Sequence, residues 1–227
     1  MIRWGVLGRE ALALARQATL LHRDVAPVIP DAARGDVVVF VHGFLATAGV
    51  FRPLRAAVER ETGAVTASFT HAPGVGIRDI ASRLSALVRG FESSGVRLHL
   101  VGHSIGGVAV RFFVSELGGD VRVAGTVSIA SPFAGAPRAR HFPGALAREI
   151  EPGSALLAAL RGTRPDVRHL SIAGGADRTV PEGAHFEHGE RLLVEGAGHN
   201  EVLYHSDTVA AVVRHVAAGR TAGPHAA

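Results

Sequence analysis

The sequence predicts an α/β fold: a mostly parallel central sheet with helices on both of its faces. Three observations predict it. Short, wholly apolar runs such as Val37–Val41 suit strands buried on both sides. They alternate with longer segments whose apolar residues recur every three to four positions, the spacing of one helix face. A chain of 227 residues, 47% of them hydrophobic, fills one well-cored domain and is short for two.

Residues 1–23 read as an amphipathic helix. Trp4, Leu7, Ala11, Leu14, Ala18 and Leu21 make an apolar stripe, with Arg9, Arg16 and Arg23 elsewhere on the helix. Pro27 and Pro30 end it, so residues 1–35 form an N-terminal helix and linker ahead of a domain spanning 36–218. Within that domain, strands are expected at 37–41, 64–69, 97–101, 121–130, 167–173 and 191–195. Helices are expected at 50–61, 77–91, 105–117 and 206–218. The helix at 77–91 is the clearest, with Ile77, Ile80, Leu84, Leu87, Val88 and Phe91 on one face. Residues 132–165, rich in proline and glycine, break the alternation and leave room for one short helix near Ala155–Leu160. Residues 219–227 read as a flexible tail.

Composition narrows the partners. All 24 basic residues are arginines, the net charge is +4, and acids are interspersed among them. No clustered basic patch for nucleic acid results. There is no cysteine, hence no disulfide, thiolate metal site or cysteine nucleophile. Arg9, Glu10 and Arg16 interrupt the N-terminal apolar stretch, which argues against a secretory signal, and no apolar run reaches bilayer length. The expected location is the cytoplasm. The helix at 1–23 either docks on the rest of the chain or a second subunit, or rests on an anionic membrane surface.

The chemistry concentrates at strand ends. Gly102-His103-Ser104-Ile105-Gly106 matches G-x-S-x-G, which chance alone supplies roughly 0.2 times in a chain with 28 glycines. Its setting, between an apolar strand and a helix, is what a nucleophile elbow requires; a glycine-rich helix cap is the plainer alternative. The strand at 37–41 runs into His42-Gly43-Phe44, whose Phe44 amide, with that of Ile105, forms a candidate oxyanion hole. Asp177, in Gly174-Gly175-Ala176-Asp177, follows the strand at 167–173 and can orient a histidine. Glu182 and Glu187 lie further into the loop, and Asp166 sits at the wrong end of the sheet. His199, in Gly196-Ala197-Gly198-His199, stands on the loop after the last strand. Of the 13 histidines, most, including His22, His141 and His215, are expected on the surface.

Together these segments resemble the small bacterial lipases and esterases of the α/β-hydrolase superfamily. The resemblance rests on HGF after a strand, GHSIGG, GGADRTVP and GAGHNEVLYHSD. Ser128-Ile129-Ala130-Ser131-Pro132, Gly135-Ala136-Pro137 and Pro152-Gly153-Ser154 add to it. It spans about residues 36–218 and leaves 1–35 aside. It implies the α/β-hydrolase fold with a short or absent lid, and a Ser104–His199–Asp177 triad acting through an acyl-enzyme. It implies an acyl ester or lipid substrate and no cofactor or metal. Thioesterase, amidase and lactonase activities are also compatible with such a family, which leaves the substrate open. Phe44, Leu45 and Phe133 are candidates to line the acyl site, or else are core residues.

Overall fold

A computed structural model describes residues 4–31, 33, 35–91, 95–119, 123–141, 144–180 and 188–219. Its sheet comprises β1 (Asp36–Val41), β2 (Val65–Phe69), β3 (Arg97–His103), β4 (Val123–Ile129), β5 (His169–Gly174) and β6 (Glu190–Val194). The strands lie in the order β2-β1-β3-β4-β5-β6, and every neighbouring pair is parallel. All of β1 is buried: Val37, Val39 and Val41 join the core on one face, Val38 and Phe40 the core on the other. Burial on both sides is why this strand reads as an unbroken apolar run.

Helices supply both covers. On one face lie α3 (Ile77–Arg89) and α4 (Ile105–Glu116), through Ile77, Ile80 and Leu84 and through Val108 and Phe112. On the other lie α2 (Arg52–Thr62) and α7 (Ser206–Ala218), through Leu54, Val58, Val212 and Val216. Each such fully buried aliphatic side chain contributes roughly 1.5–3 kcal/mol. The segment expected to hold one short helix holds two, α5 (Ala145–Ile150) and α6 (Ala155–Gly162), after a 3-10 turn at Pro137–His141. Its glycines and prolines hide the pattern, yet the hydroxyl of Ser154 caps α6 by accepting from the Leu157 amide at 3.2 Å. Leu146, Leu156, Leu157 and Leu160 belong to the α3–α4 core, so this segment is part of the body of the domain.

The N-terminal helix α1 (Trp4–Leu20) forms where expected but turns the other way. Of the expected stripe, Leu7, Leu14 and Leu21 are 42%, 50% and 38% exposed, while Ala13 is buried and Val6, Glu10 and Gln17 are half-buried. Hydropathy picks the leucine stripe; polar partners pick the docked face. The Arg9 guanidinium donates to Glu201 at 2.5 Å and to the Gly196 carbonyl at 2.9 Å, and Arg16 lies 4.6 Å over the Tyr204 ring. No described helix is long and apolar enough to cross a membrane. Of the expected tail, residues 220–227 lie outside the described residues, as do Glu182 and Glu187.

Histidines are buried more often than expected. His22 and His141 are exposed, but His215 is only 4% exposed, its ring filling the space a side chain at Gly125 would take. Burial pushes His215 down to about 4, with the charges of Arg168 and His99 adding to it. Burial likewise pushes His42, His103 and His169 down to about 3. These four stay neutral in the folded chain down to pH 3–4, whereas unfolded histidines bind protons below about 6.5. The unfolded state therefore holds more protons below that point, and stability is lost as the pH is lowered through it. Between pH 7 and 5.5 each histidine is expected to cost on the order of 1 kcal/mol. Urea titrations across this range should show that steep loss, and His215→Gln should reduce the slope by close to one proton.

Candidate active site

The site is built where the strand order reverses. Helical crossovers leave β1 and β3 in opposite directions, so the loops beyond their C-terminal ends part and open a crevice. Val41 is paired with Gly102, which sets His42-Gly43-Phe44 beside His103-Ser104.

Ser104 occupies a turn with φ 52° and ψ −125°, a conformation costing roughly 1–3 kcal/mol for a residue with a side chain. Its surroundings hold it there. The Ser104 amide donates to the Ile129 carbonyl at 2.8 Å, and its carbonyl accepts from the Gly107 amide at 3.0 Å. A Cβ on Gly102 would lie 2.3 Å from the Gly107 nitrogen, and one on Gly106 2.1 Å from the Val41 carbonyl oxygen. Gly107 is closed off by the Ser131 hydroxyl at 2.0 Å. Each glycine of the motif thus answers a backbone or side-chain contact, which a helix cap would not need.

His199 reaches Ser104 from the far side of β4. Its Nε2 lies 3.2 Å from the Ser104 Oγ, and its Nδ1 lies 2.7 Å from Asp177 Oδ2. A carboxylate only accepts, so Nδ1 carries the proton and Nε2 is left to accept from the serine hydroxyl. Asp177 cannot swing away: its Oδ1 accepts from the Thr179 and Val180 amides at 2.7 and 2.8 Å. The loops carrying the acid and the histidine are joined by the Ala176 amide donating to the Ala197 carbonyl at 2.9 Å.

The loop after β1 is as closely fitted. A Cβ on Gly43 would lie 3.0 Å from the Ser104 Cβ. The His42 Nδ1–H donates to the Gly43 carbonyl at 2.8 Å, while its Nε2 accepts from the His71 amide at 3.1 Å. The His42 ring stacks on that of His71 with centroids 3.9 Å apart. Because the peptide is planar and trans, fixing the Gly43 carbonyl sends the Phe44 N–H the opposite way. Ile105 is the first residue of α4, whose amide has no partner within the helix.

Phe44 and Leu45 are 43% and 64% exposed, and Leu45 has a left-handed φ of 55°. Phe133, by contrast, is 3% exposed and packs in the core, edge-on to His169. A cleft of about 400 Å³ reaches Asp177 and His199 and is walled on its outer side by Val6, Leu7 and Glu10 of α1. Among the described residues, no group of three or more His, Asp or Glu side chains is placed to hold a metal ion. Three residues that sequence reading passed over belong to the surroundings of the site: Glu10, His71 and His103. His103 donates from Nε2 to the His199 carbonyl at 3.1 Å. Sequence spacing offers no sign of them, since each acts across elements far apart in the chain.

No family model and no curated protein matches the sequence. Solved structures do. The mature Bacillus licheniformis lipase BlEst2 superposes with a TM-score of 0.69 at 13% identity, covering 86% of this chain and 99% of its own. One of the metagenome-derived lipolytic enzymes LipS and LipT gives 0.65 at 20% identity over 87% and 98%. The monoacylglycerol lipase of Paleococcus ferrophilus gives 0.63 at 14% over 86% and 98%. The fold is that of the α/β-hydrolases. Within that fold, the six-stranded all-parallel sheet places Ser104, Asp177 and His199 beyond the ends of β3, β5 and β6.

The glycine contacts make a direct prediction. Gly106→Ala is expected to lower unfolding free energy by about 3 kcal/mol, as overpacking against main chain does. Gly8→Ala, at a helical position with nothing within 4 Å, should leave stability unchanged or higher. Chemical denaturation of both variants decides.

Proposed function

We propose that the protein is a serine hydrolase that cleaves carboxylic esters through an acyl-enzyme. The observation that carries this reading is the continuous hydrogen-bonded series from Asp177 through His199 to the Ser104 hydroxyl, 2.7 and 3.2 Å long. His199 takes the Ser104 proton as the oxygen attacks the acyl carbonyl; the imidazolium so formed is stabilised by Asp177. The Phe44 and Ile105 amides receive the oxyanion, each such donor supplying about 3 kcal/mol in the transition state. His199 then returns the proton to the departing alcohol, and water frees the acyl group by the same route.

Esters are favoured over harder acyl bonds by the company the fold keeps, since the similar structures are described as lipases and lipolytic enzymes. The exposed apolar pair Phe44–Leu45, beside the serine, suits an acyl chain. Thioesters, amides and lactones demand the same nucleophile, so a substrate panel separates them.

Ser104→Ala is expected to abolish hydrolysis of p-nitrophenyl butyrate with the circular dichroism spectrum retained; turnover equal to the parent chain rules the assignment out. Asp177→Asn should leave binding intact and lower kcat on the order of 10⁴-fold by favouring the wrong imidazole tautomer. A p-nitrophenyl ester series from acetate to palmitate, run beside thioester and anilide analogues, reads out the preferred acyl group.

A further inference from the structure

We propose that Glu10 of the N-terminal helix is a positioning residue for His199, making α1 a working part of the site; this rests on the catalytic role proposed for His199. The helix lies outside the segment that carries the resemblance to lipases and esterases, and nothing in its hydropathy pattern points to the site. Its geometry does.

One carboxylate brackets the histidine on both sides. Glu10 Oε1 accepts from the Asn200 amide at 3.0 Å and from the Asn200 side chain at 2.7 Å. Its Oε2 accepts from the Glu201 amide at 3.0 Å and, at 3.1 Å, from the Asn200 amide. On the other side, Gly198 leaves the room this carboxylate fills, since a Cβ there would lie 2.4 Å from Glu10 Oε2. The preceding residue of α1 closes the frame: Arg9 donates to Glu201 and to the Gly196 carbonyl, while the second Glu201 oxygen accepts from the Gly198 amide at 3.2 Å. From below, the core reaches the same segment through His103 and the His199 carbonyl. The main chain at His199 is therefore fixed from inside by the sheet and from outside by α1.

The physical need is clear. The amides that open a helical turn lack partners of their own, and the 3-10 turn Glu201–Tyr204 begins two residues after the histidine, with Asn200 as its N-cap. Charge-assisted hydrogen bonds are the strong kind, and here they act one residue from the general base. A reacting group displaced by about 1 Å costs on the order of 100-fold in rate.

The test compares Glu10→Ala and Glu10→Gln with Leu12→Ser, a substitution on the exposed face of the same helix. With p-nitrophenyl butyrate, Glu10→Ala is expected to lower kcat about 10- to 100-fold with KM changed by less than about twofold. Glu10→Gln, which keeps one acceptor oxygen, should fall between, and Leu12→Ser should match the parent. The far-downfield proton resonance of the His199–Asp177 hydrogen bond should broaden in Glu10→Ala while circular dichroism shows the fold intact. A parent-like kcat and resonance in both Glu10 variants, or a loss that merely tracks the unfolded fraction, overturns the proposal. A parent chain inert to every ester and to a fluorophosphonate sinks the ester reading instead. The proton resonance needs no substrate and still tests the clamp.

Discussion

The contact on which the rest of this molecule depends is the one between Gly106 and the Val41 carbonyl. At that point α4 sits on β1 with no side chain between them, and a single Cβ would lie 2.1 Å from the oxygen. The approach brings the start of α4 against the end of β1, so the serine turn and the loop after β1 share one crevice. Strain at Ser104 is tolerable because Gly102, Gly106 and Gly107 let the neighbouring main chain surround it. The turn at Ser104 is thus a packing solution, set by main chain meeting main chain.

Much of this was legible in the sequence, for identifiable reasons. A strand buried on both faces can only be apolar, so Val37–Val41 announced a central parallel strand. The strands brought with them the residues at their C-terminal ends, and Ser104, Asp177 and His199 lie together as the strand pattern implied. Side chains that act through tertiary contacts were not legible. The face of α1 that docks is chosen by Arg9 and Glu10 meeting the loop at 196–201, and hydropathy chose the leucines instead. Two helices in the 145–162 region were masked by the glycines and prolines that separate them. His215 was misplaced on the surface because the small residue that makes room for it, Gly125, lies on another element.

Histidine serves several purposes here, and environment decides which. His42 and His103 are sealed from water and kept neutral, so each offers a fixed tautomer: one holds the Gly43 carbonyl, the other the His199 carbonyl. His199 keeps some contact with the crevice and faces a carboxylate held by its own turn. Three imidazoles within one site are thereby separated into two buried struts and one ring that faces the Ser104 hydroxyl.

The ordering of contacts along the chain has a consequence for how the site comes into being. Ser104 and His199 are 95 residues apart, and Glu10 meets Asn200 across 190. Joining such distant segments requires loop closures that local helices and turns do not, and contacts of this range form slowly. The histidine stands on the loop after β6, and the first helix meets that same loop from the other end of the chain. Helices and turns depend on neighbours in sequence, whereas the geometry around Ser104 depends on the chain closing upon itself.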